Sequence, residues 1–465
     1  MNAARTQAAK GWEKAKLADL LTVIRGVTYK KEQSAKEPRK GLIPVLRANN
    51  IQNGLVFEDL VYVPEDCVSD AQMLRKGDIV IAASSGSRHI VGKAAQLKTD
   101  WRGSFGAFCF GLRPKLGIHT DYLSWFLQTS EYRNQVSELS AGVNINNLRA
   151  RHIEELQMRV APLPEQRRIV GEIEKQFSRL EEGVGALKRV QANLKRYRAS
   201  VLKAACEGKL APTEAELAQS NRKRYESAIE LIARTKTPPR PNRWNSRSKD
   251  VIIGHASLAV GNPRTQLPEG WAWTALVEIA KMESGHTPSR IHPEWWDGDV
   301  AWIGIVDARE NDGRTIHETI QHTNAKGIEN SASRLLPAGT VCISRTASVG
   351  YVVVMGREMA TSQDFVNWVP TTSVMPDWLR IIFSADREAL RRFGKGSVHK
   401  TIYFPEWLSV HIALPPLAEQ KRIVEEVERR LSVVEEMEAT VAANLQRATR
   451  LRQSILQKAF EGELI

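Results

Sequence analysis

The chain has 465 residues, 42% hydrophobic and 26% charged, with a formal net charge of +13. That is ordinary soluble globular composition with room for about three domains, and no run approaches the ~18 continuous apolar residues of a membrane span. Its four cysteines are far apart without a CxxC pair and its start, MNAARTQAAKGWEK, lacks the apolar core of a signal peptide. Both features argue against export and a zinc site, and for a reducing cytoplasm. The surplus of Lys and Arg favours a polyanionic partner, because neutralising phosphates releases condensed counterions; the plain alternative is a merely basic enzyme.

Residues 1–162 read as a compact α+β domain. β-branched stretches such as DIVIAAS, broken by Gly and Asn, predict several short strands. Between them lie Arg47-Ala48-Asn49-Asn50 and Ser84-Ser85-Gly86-Ser87-Arg88-His89. Such loops gather the side chains that read base edges, Arg for guanine, Asn for adenine and Ser for either. The competing reading is a pair of polar turns.

Residues 163–210 predict one long helix. Ile173, Leu180, Leu187, Leu194 and Val201 recur every seven residues, with Glu, Lys and Arg between them. A spacing of 3.5 over about five heptads argues for a coiled coil. The stretch follows a Pro-rich turn and ends at Gly208, sensible start and stop signals. Residues 211–265 form a basic linker, with nine Lys or Arg against three acids between 220 and 250. After a short helix, TPPRPNRWNSRSKD is expected to be an exposed tether, and its charge run to be a solvated face with non-specific phosphate contact as the minority option.

Residues 266–414 predict a second α+β domain, with strands such as YVVVM and a loop Ser344-Arg345-Thr346-Ala347-Ser348. Residues 415–465 predict a second long helix, carrying Val427, Val434, Val441 and Ile455 on one stripe and ending at Gly462. The two halves repeat. APLPEQRRIV at 161–170 and PPLAEQKRIV at 415–424 share seven of ten positions, and the offset of 254 persists to Glu207-Gly208 and Glu461-Gly462. A constant offset means that no insertion was tolerated, which suits a rod whose length matters. The globular parts repeat loosely, GDIVI against GTVCI at an offset of 262 and Val91-Gly92 against Val349-Gly350 at 258. A kept scaffold with divergent loops is how two sites of different specificity are built on one fold.

Catalytic motifs are missing. GKGSVHKT at 394–401 places His399 where a phosphate loop needs its second Gly. Its repeat counterpart SAGVNINNL lacks the Lys-Thr pair. GVG at 183–185 lies inside the first long helix, and neither PP pair fits an amino-methyltransferase motif. No HExxH or clustered His/Cys/Asp set has metal spacing. His89 and His399 read as ordinary exposed histidines. The pattern is that of a binder.

As a set, the two P-x-x-EQ-x-R-I-V helix starts, the EG-[KE]-L ends, GDIVIAASSGS with its later VG, and LPEGW resemble the specificity subunit of type I restriction-modification systems. RGVTYKKEQ, LRANNIQNG, SFGAFC and LSAGVNINN resemble its enterobacterial branch. The resemblance covers the whole chain. It implies two target recognition domains, each reading one half of a bipartite double-stranded DNA target, joined by two long antiparallel coiled-coil helices in a pseudo-two-fold repeat. These helices set the gap and dock two methyltransferase subunits. It also implies that no cofactor is held in this chain. S-adenosylmethionine belongs to the modification subunits, and ATP and Mg to two restriction subunits. One departure is Ala418 where the first copy has Pro164.

The candidate DNA-contacting set is Lys30, Lys31, Arg47, Asn49, Asn50, Ser84, Ser85, Ser87, Arg88, Arg345, Thr346, Ser348 and Lys400. The candidate helix-pairing set is Ile173, Leu180, Leu187, Leu194, Val201, Val427, Val434, Val441 and Ile455. The alternatives are a self-contained methyltransferase or nuclease with a disguised site, and a coiled-coil scaffold that reads no sequence.

Overall fold

The structure is a computed structural model and describes residues 11–85, 90–141, 147–239, 247–254, 257–346, 348–394 and 400–465. Two units emerge, one of residues 1–189 with 441–465 and the other of residues 190–440. Each therefore holds the start of one long helix and the end of the other.

The long helices are Leu163–Cys206 and Leu417–Glu461, 44 and 45 residues, so each runs roughly 66 Å at ~1.5 Å per residue. Their pairing is antiparallel. Arg452 meets Glu181 at 3.5 Å within the first unit, and Arg198 meets Glu438 at 3.1 Å and Glu435 at 3.8 Å within the second. Ile173, Val441 and Ile455 are buried in the first unit, and Leu194, Val201, Val427 and Val434 in the second, while Leu180 and Leu187 are half-buried. Both helices stop in the same way. Lys209 N donates to Ala204 O and Glu463 N to Lys458 O, each at 2.8 Å, around left-handed Gly208 (φ 66°) and Gly462 (φ 78°). That six-to-one bond is a Schellman closure, which needs glycine at its left-handed position. At Gly208 a β-carbon would also lie 2.8 Å from Pro268. Pro164 lacks only an N–H that the first helical turn leaves unpaired in any case, so Ala418 in its place changes little.

In the first unit Glu13–Lys16 pairs with Gln157–Val160. A four-stranded antiparallel sheet runs Leu21–Arg25, Cys109–Pro114, Ile79–Ala82, Ala94–Gln96, and a three-stranded sheet runs Val61–Pro64, Leu42–Leu46, Ser104–Phe105. The second unit repeats each of these. Its equivalents are Ala272–Ala275 with Val410–Leu414; then Ala280–Ser284, Phe365–Pro370, Val341–Ser344, Val352–Met355; then Gln321–Thr323, Trp296–Ile303, Ala360–Thr361. The period of two along a strand explains the buried run IVIA. Ile79 and Ile81 face the core beneath the helices, and Val80 and Ala82 face a second core on the other side. Val341 and Ile343 against Cys342 repeat the arrangement.

The long helices are part of these cores. Ile169, Ile173 and Phe177 from one, with Ile455, Leu456 and Phe460 from the other, close the first unit. Val201, Leu202 and Ala205 with Ile423, Val424 and Val427 close the second. Each Val, Leu, Ile or Phe among them contributes about 1.5–3 kcal/mol on full burial.

The repeated Glu-Gln dipeptide fastens domain to helix. Gln166 Oε1 accepts from His119 N at 2.7 Å, and its Nε2 donates to Ala161 O at 2.8 Å. Gln420 Oε1 accepts from Met375 N at 2.9 Å, and its Nε2 donates to Ser373 O and Pro415 O at 3.0 Å. The neighbouring glutamates take the indole of the tryptophan that opens each copy, Trp12 to Glu165 at 3.2 Å and Trp271 to Glu419 at 2.7 Å. Glu419, 0% exposed, also accepts from Glu214 N at 3.0 Å. Burial raises its carboxyl above the ordinary range, against the lowering effect of these two donors.

The linker holds more structure than the one short helix expected, on both sides of TPPRPNRWNSRSKD, whose described residues are without helix or strand. Thr213 and Ser227 cap the helices Glu214–Asn221 and Ala228–Ala233 through reciprocal bonds with Glu216 and Glu230. Further on, Leu258–Val260 pairs with Val410–Leu414 and takes Ile252–Ile253 on its other side. Leu258, Ala259 and Val260 are buried, because this short run completes a sheet edge that a basic composition gives no hint of. Residues 240–246 lie outside the described residues.

In the first unit that edge is occupied differently. Ala259 pairs with His411, whose repeat equivalent is Gln157. The Gln135 side-chain amide takes both backbone groups of Gln157, donating Nε2 to its O at 2.8 Å and accepting its N–H on Oε1 at 3.0 Å. One side chain thus imitates one residue of a neighbouring strand.

Candidate nucleic-acid interface

Two loops in each unit are pinned together by equivalent bonds. In the first, Ser84 bridges to Asn147 and Leu148 N donates to Ala83 O at 2.7 Å. In the second, Thr346 bridges to Thr401 and Ile402 N donates to Arg345 O at 2.9 Å. A third loop joins them through close backbone approach at Gly26 and Gly285, where a β-carbon would fall 2.0 Å from Gly106 O and 1.9 Å from Ser362 O. Both sites must therefore be glycine. The residues after them are fixed alike, Val27 N to Phe105 O at 2.8 Å and His286 N to Thr361 O at 2.9 Å.

The sequence-selected residues meet different fates in this frame. Ser84 is half-buried on the pinned loop, and Ser85 is half-buried and partnered. Ser87, Arg88 and His89 lie outside the described residues, as does His399. Thr346 Oγ1 and Thr401 Oγ1 share a hydrogen bond of 2.8 Å, with Ser348 half-buried beside them and Lys400 exposed. Arg345 lies with its guanidinium carbon 4.7 Å from the Phe404 ring centre, a cation–π arrangement that holds a planar fork in place. Burial lowers its pKa, with Asp364 and Tyr403 acting in the opposite sense.

Away from these loops the assignments change. Asn50 is corrected: it is 1% exposed, and its amide organises its own loop. Its Oδ1 accepts from Arg47 N at 2.9 Å, and its Nδ2 donates to Val56 O at 2.9 Å and Glu58 O at 2.8 Å. A side chain so placed has no group to offer a base. Arg47 is paired with Asp59, through Oδ2 at 2.8 Å and O at 2.7 Å, and Asn49 reaches the same carboxylate at 3.4 Å. Residue type alone had selected this RANN run. Lys30 and Lys31 are exposed at a short turn, Lys31–Gln33, pinned by Lys30 N to Gln33 Oε1 at 3.1 Å.

The sequence reading missed one feature of the first unit. Arg25, Thr28, Phe110, Asn147, Arg149 and Arg151 line a cleft of about 440 Å³. Burial lowers the pKa of the adjacent His152, and Arg151 and Arg149 lower it further. The signal was the repeated Gly-x-Thr, Gly26-Val27-Thr28 against Gly285-His286-Thr287 at an offset of 259. In the second unit a cleft of about 560 Å³ has Arg247, Lys249 and Asp250 beside Tyr403.

Among the described residues no group of His, Cys, Asp or Glu is placed to hold a metal ion, and no helix is long and apolar enough to cross a membrane. Burial pushes the thiols of Cys109 and Cys206 up to about 12, away from nucleophilic chemistry.

Known proteins supply the context. Residues 9–186 and 268–441 match the family described as the type I restriction modification DNA specificity domain, so both pinned loop pairs fall within the matched ranges. The specificity subunit of the type I restriction enzyme EcoKI from Escherichia coli (strain K12) is 30% identical over 98% of this chain and 89% of its own. That of StySPI from Salmonella potsdam is 29% identical over 99% and 90%. A solved chain from work on assembly and conformational transition of the type I R-M system aligns with a TM-score of 0.70 at 18% identity, covering 98% of this chain and 99% of that one. The HsdS subunit from Thermoanaerobacter tengcongensis aligns at 0.51 and 18%, covering 100% of both; at such identity these two likenesses speak to fold. Two repeated α+β domains joined by antiparallel helices, each with its own pinned loops, match this family through both halves, and the chain belongs to the type I restriction-modification DNA specificity family.

Proposed function

We propose that this chain is the DNA-reading subunit of a type I restriction-modification complex. Each α+β domain reads one half of a bipartite double-stranded target, and the paired helices fix the gap between halves. The carrying observation is that equivalent loop pairs hold unlike side chains. Ser84 and Asn147 stand in one unit where Thr346 and Thr401 stand in the other, and Ala83 stands where the other has Arg345. A common frame with exchanged polar groups suits two different half-sites.

The chain itself is non-catalytic in this reading and holds no cofactor. Two methyltransferase subunits dock on the long helices and bind S-adenosylmethionine, two restriction subunits use ATP and Mg, and the assembly works in the cytoplasm. Methylation or cleavage by the isolated chain, or its binding of S-adenosylmethionine, would overturn this assignment. The direct test is Arg345→Ala in a complex reconstituted with methyltransferase subunits. If Arg345 reads a base, discrimination falls at one half-site only, by about 1–3 kcal/mol; equal loss on every sequence assigns it to phosphate, and no loss removes it from the interface.

A further inference from the structure

Three guanidinium groups surround the cleft of the first unit, from Arg25, Arg149 and Arg151, and no carboxylate lines it. Arg47, Arg102 and Arg113 of the same unit each have a carboxylate partner. By contrast, none of the three cleft arginines forms an ion pair among the described residues, and Arg149 and Arg151 are exposed. Guanidiniums gathered without a carboxylate partner make a positive potential that favours an added anion.

The repeat supplies a comparison within the same chain. At the offset fixed by Gly26 and Gly285, Arg25 corresponds to Ser284. At the offset fixed by Leu148 and Ile402, Arg149 corresponds to Tyr403 and Arg151 to Pro405. On the adjoining loop, Ala83 N donates to Phe108 O where Arg345 N donates to Asp364 O. Phe108, 70% exposed, thus stands where the second unit has an acid. None of the three cations is kept at its equivalent position, where Tyr403 and Pro405 instead stand beside Arg247, Lys249 and Asp250, and a carboxylate, Asp364, is added on the adjoining loop. The scaffold does not need them, since the second unit builds the same loops without them.

We infer that the first unit's cleft is a seat for the DNA backbone, in which Arg25, Arg149 and Arg151 bind phosphate, built from residues that the second unit does not share. This deepens the DNA-reading assignment and rests on it. The loop pair supplies sequence choice and the cleft supplies hold. In the second unit the cations beside Tyr403 come instead from the linker, as Arg247 and Lys249.

The test uses the complex reconstituted with methyltransferase subunits, with fluorescence anisotropy on a cognate duplex and on duplexes scrambled in one half. Three phosphate contacts contribute about 2.7 to the slope of log affinity against log salt, roughly a 40-fold difference between 50 and 200 mM. The variant Arg25→Ala/Arg149→Ala/Arg151→Ala is expected to lose that much slope and to weaken equally on all duplexes. The triple Lys variant, which keeps charge but not the bidentate fork, is expected to restore slope and affinity, and it serves as the folding control. An unchanged slope in the Ala variant would overturn the seat. So would loss confined to the first half-site that Lys fails to restore, since that marks base reading by the guanidinium forks. If Arg345→Ala alters discrimination while the triple variant is silent, the seat alone fails. If the wild-type complex shows no sequence preference while the variant loses slope, the reading function alone fails.

Discussion

Replacing Gln420 by Ala is expected to unfasten the second unit from its helix. The side chain is fully buried and makes three hydrogen bonds, one accepted from Met375 N and two donated to Ser373 O and Pro415 O. Truncation leaves a buried N–H unpaired at about 1–3 kcal/mol, and two carbonyls that each lose a donor at about 1 kcal/mol. The expected loss is about 3–5 kcal/mol, and at roughly 2–4 °C per kcal/mol the transition of this unit drops by about 6–20 °C. Differential scanning calorimetry of the full chain reads this transition by transition, because a chain of two units has no single global stability. Gln166→Ala removes two bonds instead of three and is expected to lower the other transition by less. A Gln420→Ala transition within about 2 °C of wild type would refute the fastening role. Its loss would also show that the repeated Glu-Gln pair is kept for some reason other than this geometry.

Glu419 gives a pH signature. Burial raises its folded-state pKa above the ordinary 4.5, so its favourable contribution is fully present below that ordinary value and is lost as pH rises through the raised one. The stability of wild type relative to Glu419→Gln is therefore expected to increase as pH is lowered from neutral towards 4.5; chemical denaturation across that range measures it, and a constant difference contradicts the burial argument. For the spacing role, inserting one heptad into each long helix, which adds about 10 Å at ~1.5 Å per residue, is expected to lengthen the gap between half-sites. Sequencing of the methylated positions reads the gap, and an unchanged gap refutes a measuring function.

The regular parts of the molecule were legible because they rest on local chemistry repeated many times. The long helices announced themselves in heptads from Ile173 to Val201 and in the glycines at 208 and 462, and both closures are as expected. Leu258–Val260 was not legible, since a three-residue strand has too few positions to show a period and its burial depends on a sheet edge about 150 residues away. The EQ pair was conspicuous as a repeat, but its role appears only when His119 and Met375 are brought to it by the fold. Asn50 was selected for a side chain that reads bases, and the turn through Val56 and Glu58 uses that side chain internally. The arginine cleft draws on residue 25 and residues 149 and 151, too far apart in sequence for one motif to unite them, so the repeated Gly-x-Thr marks only the loop beside Arg25.

Gln135 leaves the first domain with a reserved place. Its counterpart in the second domain is backbone, a strand that cannot leave without exposing Leu258 and Val260, whereas Gln135 holds Gln157 by two side-chain hydrogen bonds alone. A rotamer change about its own side-chain torsions frees both groups for a strand. The chain thus closes one domain's edge with backbone and the other's with a single side chain. While in place, the Gln135 amide keeps a bare strand edge from recruiting a neighbour.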